Sequence, residues 1–162
     1  MVLMKKVLFI SSTGGHLDEL MQLKEIFNKY DYHIITEKTK SNLSLKDKYK
    51  GRVNYLWYGS YTTLVGKLTY PFKLLFNTLK SFFLFIKIRP KYVVTTGAHT
   101  AGPMCLIAHI FKSKIIYIET FANSTTRSKT GNIVYKFADL FIVQWESMKK
   151  VYPNAEYGGW IF

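Results

Sequence analysis

The chain has 162 residues, 48% hydrophobic and 17% aromatic, which is enough for one domain with a substantial core. Its lone cysteine, Cys105, excludes an intramolecular disulfide and points to a reducing, cytoplasmic setting. The net charge is +13, and no Asp or Glu occurs between Asp47 and Glu119, so the surface attracts polyanions: nucleic acid, anionic lipid or a phosphorylated substrate.

In chain order, the run MKKVLFI is too short for a signal sequence and ends in a glycine turn before a charged helix, so 6–11 reads as a core strand. The loop STGGH (12–16) follows. LDELMQLKEIFNK (17–29) then places Leu17, Leu20, Met21, Leu23 and Phe27 near one helical face. Further strands are expected at 32–36, 53–57, 92–96, 114–119 and 140–145. Helices are expected over the basic stretch 70–92, over 101–111, where Pro103 suits a first turn, and over 130–139. Most strands lack strict alternation, as strands buried on both faces do. Alternating strands and helices predict an α/β fold, a single Rossmann-like doubly wound parallel sheet over 1–162, with ligands at the strands' carboxyl ends. No repeat or linker interrupts it.

The loops at those ends concentrate Gly, Ser, Thr and His. Gly14 and Gly15 precede a helix start, where free N–H groups and the helix dipole make an anion site. His16 would sit at that start, aimed into the crevice; the same glycines also suit an ordinary strand-to-helix turn. The loop TTGAHTAGP repeats the chemistry, with Gly97 and Gly102 flanking His99 and Thr100. SSTGGH lacks the third glycine of a dinucleotide fingerprint. No acidic residue ends the second expected strand, since Glu37 opens a lysine-rich loop, so a nicotinamide cofactor is not expected. Four dispersed histidines and one cysteine give no zinc spacing, and no GxSxG elbow is present. No metal or cofactor is expected.

The segment at about 61–89 is the most unusual. At helical spacing Lys73, Asn77, Lys80 and Lys87 form a narrow polar stripe, and residues such as Phe76 and Phe83 make an apolar arc wider than sheet packing requires. Its apolar core is too short and too often broken by lysine to span a bilayer. It fits a helix lying in the interface of an anionic membrane, with a large core helix as the competing reading. No RNA-binding signature accompanies it, so nucleic acid is not the expected partner.

STGGHLDEL, VVTTGAHTAGP, IIYIETFANSTTRSKTGNIVYKFADLFIVQW and the closing YGGWIF resemble the bacterial relatives of the Alg14 family, the PssD/CpsF-like capsular and exopolysaccharide proteins. The resemblance covers nearly the whole chain and is most specific over 114–162. More distantly, the chain is similar to the amino-terminal half of MurG. The resemblance implies the acceptor-side, amino-terminal half of a split GT-B glycosyltransferase. Its Alg13/PssE-like companion would bind the nucleotide sugar, and its acceptor would be a polyprenyl-diphosphate-linked saccharide. It would sit peripherally on the cytoplasmic face of the membrane, without a spanning helix.

Within that frame, His16 and Glu119 are the candidates for general base or acceptor positioning. Glu119 equally suits bracing of its loop. Gly14, Gly15, Gly97, His99, Thr100 and Arg127 are candidates for the diphosphate. Lys73, Phe76, Lys80, Phe83 and Lys87 are candidates for the membrane. Trp145 and the apolar tail Trp160, Ile161 and Phe162 suggest a partner surface. Two other readings stay open: a self-sufficient small glycosyltransferase working as a homodimer, and a non-catalytic basic module binding lipid or nucleic acid.

Overall fold

The computed structural model describes residues 4–59 and 63–161. One parallel sheet contains β1 (Lys6–Ile10), β2 (Asp31–Glu37), β3 (Val53–Leu56), β4 (Tyr92–Thr95), β5 (Lys114–Ile118), β6 (Leu140–Val143) and β7 (Glu156–Tyr157). Their order is β3-β2-β1-β4-β5-β6-β7, with every pairing parallel. The chain reverses its direction of travel between β1 and β4, so the crevice beyond their carboxyl ends is the place for a ligand.

Strand alternation divides the core between two faces. Leu8 and Ile10 pack with Phe85, Met104 and Val134, from α4 (Leu64–Ile88), α5 (Ala101–Ile110) and α6 (Lys129–Val134). Val7 and Phe9 pack with Leu20, Phe27 and Leu45, from α1 (Gly15–Gln22), α2 (Lys24–Phe27) and α3 (Leu45–Lys48).

The expected strands are present within two residues at either end. One correction bears on the site: Glu37 is the last residue of β2 and not the start of a loop. The helix expected over 17–29 begins at Gly15 and breaks at Leu23, whose N–H turns back to the Leu20 carbonyl at 3.1 Å. The helix expected over 130–139 is α6, and it stops at Val134. α3, β7 and the 3-10 turns at Lys40–Asn42 and Glu146–Lys150 are too short to have carried a period.

The basic aromatic stretch is one 25-residue helix, α4, longer at its start than its sequence period suggests. Thr63 opens it by accepting the Gly66 N–H at 3.0 Å. Arg89 closes it in a left-handed conformation ahead of Pro90. Phe85 and Ile88 face the core, while Leu68, Phe72, Leu75, Phe76, Phe83 and Ile86 are exposed, Phe72 and Phe83 by 68% each. Lys80 and Lys87 are exposed beside that apolar strip, and Lys73 is half-buried. Asn77 does not belong to the exposed stripe, because it is buried. Its side chain accepts the Trp57 N–H and donates to the Trp57 carbonyl, both at 2.8 Å, and so clasps α4 to the end of β3. Residues 61 and 62 of the expected membrane segment lie outside the described residues. No helix among the described residues is long and apolar enough to cross a membrane.

Asn77→Ala leaves both polar groups of Trp57 without their partner. We expect a loss of about 1–3 kcal/mol in urea unfolding; an unchanged midpoint would contradict the clasp.

Candidate functional site

The switch point is built by two loops that bond to each other. Ser12 N–H donates to the Gly97 carbonyl at 3.0 Å. His16 stands in the first turn of α1, and its Nδ1 lies 2.8 Å from the Thr96 carbonyl, while the Thr96 hydroxyl donates to the His16 carbonyl at 2.6 Å. A carbonyl only accepts, so Nδ1 carries a proton, and in the neutral ring the lone pair is then on Nε2. Gly97 makes this approach possible. It has φ +89°, and a Cβ there would lie 2.9 Å from the Tyr117 hydroxyl and 3.6 Å from the His16 ring. Gly14 holds the N-cap at φ +78°, and no side chain caps α1, so the positive end of the helix dipole lies beside His16, which lines the cleft.

Glu37 closes the site from below. It is 1% exposed. Its Oε1 accepts from His99 Nε2 at 3.1 Å, from the Thr100 hydroxyl at 2.8 Å and from the Gly59 N–H at 3.4 Å, and its Oε2 accepts from the Thr13 N–H at 3.4 Å. Burial alone would raise this carboxyl, but the hydrogen bonds from His99 and Thr100, with the His99 charge, outweigh it and hold Glu37 below the ordinary carboxylate range. Glu37 thereby joins the loops after β1, β3 and β4.

His16, Ala98, His99, Thr120, Asn123 and Lys129 line an open cleft of about 590 Å³, among other residues. The structure brings Gly14, Gly15, His16, Gly97 and His99 together at the mouths of β1 and β4. Other candidates point elsewhere. Thr100 is buried with its hydroxyl on Glu37. Glu119 is 1% exposed and accepts from Ser128 at 3.0 Å and Tyr152 at 2.8 Å, which places it beneath the loop as a brace. Arg127 spends Nε and Nη2 on the Val151 carbonyl and Nη1 on Asn132. Lys129, two residues on, is the cation that faces the cleft.

Beyond β6, Trp145 Nε1 donates to the Phe121 carbonyl at 2.7 Å. The rings of Phe121, Trp145 and Trp160 form one cluster with centroids 4.7 to 5.4 Å apart. Trp160 is 61% exposed. Ile161 is half-buried against the core, with its N–H on Gln144 at 3.2 Å. Phe162 lies outside the described residues.

A parallel sheet of this order, with its cleft at the switch point, is one Rossmann-like half of a GT-B fold. The same fold occurs in MurG of Acinetobacter baumannii, with TM-score 0.69 and 18% identity over 88% of this chain and 42% of that one. It occurs also in the UDP-N-acetylglucosamine 2-epimerase of Rickettsia bellii, with TM-score 0.70 and 16% identity over 98% and 45%. The chain thus spans less than half of either enzyme.

The family described as "Oligosaccharide biosynthesis protein Alg14 like" matches residues 7–161, and the chain belongs to it. The UDP-N-acetylglucosamine transferase subunit ALG14 of Rattus norvegicus is 35% identical over 98 residues, 57% of this chain and 45% of that protein. Its Mus musculus counterpart is 26% identical over 95% of this chain and 82% of its own length. A Francisella tularensis UDP-N-acetylglucosamine–N-acetylmuramyl-(pentapeptide) pyrophosphoryl-undecaprenol N-acetylglucosamine transferase is 27% identical over 86% of this chain and 38% of its own.

Because the folded state holds Glu37 at a lowered pKa, its contribution to stability is complete above the ordinary value of 4.5 and is lost as pH falls through the folded value. Glu37→Gln should cost about 1.5–3 kcal/mol at pH 7 and flatten the acid limb of the stability curve. An equally steep acid limb in the variant would contradict this assignment.

Proposed function

We propose that this chain is the acceptor-binding, membrane-anchoring subunit of a two-component glycosyltransferase. The enzyme moves a sugar from a nucleotide sugar to a polyprenyl-diphosphate-linked saccharide in capsular or exopolysaccharide synthesis. The observation that carries the reading is His16, its Nδ1–H fixed on Thr96 and its ring lining the cleft at the uncapped start of α1. Family membership supports it, as do the transferase subunits and the pyrophosphoryl-undecaprenol enzyme among the relatives.

In this mechanism the acceptor diphosphate lies against the amides at the start of α1 and near Lys129, where the helix dipole and the cation favour anionic oxygens. His16 Nε2 takes the proton of the acceptor hydroxyl as that oxygen bonds to the anomeric carbon. The bond from that carbon to the nucleotide diphosphate breaks, and the donor-binding companion holds the departing charge. The transfer inverts the anomeric centre. Glu119 acts on the wall of the cleft and not on the proton.

The exposed strip of α4 supports a peripheral seat on an anionic leaflet, with Phe76 and Phe83 entering the acyl boundary and Lys73, Lys80 and Lys87 reaching headgroups. The cluster of Phe121, Trp145 and Trp160 supports the companion's docking beside the cleft.

His16→Ala, assayed with the companion, UDP-N-acetylglucosamine and a polyprenyl-diphosphate acceptor, should lower kcat by about 10²–10⁴-fold in a chain that still folds. Wild-type turnover would remove His16 from the chemistry. Robust transfer by the lone chain would refute the two-component reading. Lys73, Lys80 and Lys87 changed together to Glu should release the protein from phosphatidylglycerol vesicles, and unchanged co-sedimentation would move the membrane contact elsewhere.

A further inference from the structure

Glu19 lies one helical turn after His16 on α1, and it is 3% exposed. Its Oε1 accepts from the Thr120 hydroxyl at 2.7 Å and from the Phe121 N–H at 3.0 Å. These bonds reach across 101 and 102 residues of chain, from the helix that carries His16 to the loop after β5. That loop forms the opposite wall of the cleft through Thr120, Ala122 and Asn123. Thr120 Oγ1 also accepts the Ala122 N–H at 3.4 Å, so one oxygen of Glu19 organises three consecutive residues of the wall.

We propose that Glu19 is a positioning residue that sets the width of the cleft, pinning the wall at Thr120–Asn123 to the helix that carries His16. The proposal rests on the reading of this cleft as the acceptor site.

The chemistry of the carboxyl fits a pin better than a charge. Oε2 is buried without a hydrogen-bond partner among the described residues, a costly place for half of an ionised carboxylate. Burial raises the pKa of Glu19, and Glu119, just after β5, adds to the rise. The bonds from Thr120 and Phe121 and the neighbouring His16 act against it. In the neutral acid Oε1 is the carbonyl oxygen, and it makes both bonds to the wall without a charge. A glutamine supplies the same carbonyl.

The test uses the chain with its companion, and hydrogen exchange at the Phe121 amide as a readout independent of activity. Glu19→Ala should speed exchange at Phe121 by at least about tenfold. It should also raise KM for a polyprenyl-diphosphate acceptor by at least about tenfold, with a smaller change in kcat and an unchanged KM for the donor. Glu19→Gln should restore both to within about threefold of wild type. Thr120→Val, which keeps the side-chain shape and removes one donor, should raise the acceptor KM in the same sense and serves if Glu19→Ala does not fold. Exchange and KM within twofold of wild type in Glu19→Ala or Thr120→Val would overturn the proposal, as would a Gln variant as impaired as the Ala variant. A wild-type complex that transfers nothing to the lipid acceptor refutes the functional reading instead, and exchange at Phe121 still decides the pin.

Discussion

The carboxylate of Glu37 draws three strand-end loops to one point. In a parallel sheet each loop emerges beside its neighbours with no hairpin to tie it to them. Glu37 supplies the tie, because an ionised carboxylate accepts several donors at once and pulls hardest where water is excluded. Thr13 belongs to the loop before His16, and His99 and Thr100 to the loop whose Thr96 carbonyl orients His16. The position of the His16 imidazole therefore depends on a buried carboxylate on a neighbouring strand.

That arrangement changes the meaning of the charge. The chain has ten acidic residues against 23 Lys and Arg. Three of those acids, Glu19, Glu37 and Glu119, are buried around the cleft, where each organises backbone and hydroxyl donors. The other acids stay at or near the surface, where the cations outnumber them. Anions meet a net positive surface, and the walls of the cleft are set by carboxyl groups turned inward. α4 shows the same division of labour on a larger scale. One side supplies Phe85 and Ile88 to the core, Asn77 clasps the sheet, and aromatic and aliphatic side chains such as Phe72, Leu75 and Phe83 are exposed on the remaining arc beside Lys80 and Lys87. An arc of that extent on a helix already anchored from behind supports the proposed seat on lipid.

Much of this was legible in the sequence. Six strands, the parallel sheet and the two glycine-histidine loops follow from apolar runs punctuated by Gly and Pro, because buried strands need continuous hydrophobicity and loops need conformational freedom. The facing of His16 and Gly97 needed the observed strand order, which sets β1 beside β4. The side-chain pairings were not legible. Glu37 sits beside a lysine-rich loop, and only the register of β2 against β1 and β3 shows that its carboxylate turns inward. Glu19 looks like one more charge on an amphipathic helix, since its partners lie about a hundred residues away. Arg127 and Lys129 are alike in sequence, and the fold decides between them by offering Arg127 the Val151 carbonyl. β7 is two residues long, and no periodicity can mark so short an element.

The central claim is that this domain receives a lipid-borne diphosphate and leaves the sugar nucleotide to its companion. The most direct measurement is an NMR titration of the isolated chain with a water-soluble short-chain polyprenyl diphosphate and, separately, with UDP-N-acetylglucosamine. The account predicts that the diphosphate shifts the amides of Gly14, Gly15 and His16 saturably and that the nucleotide sugar leaves them in place. Saturable binding of the nucleotide sugar at those amides, with none by the polyprenyl diphosphate, would contradict it.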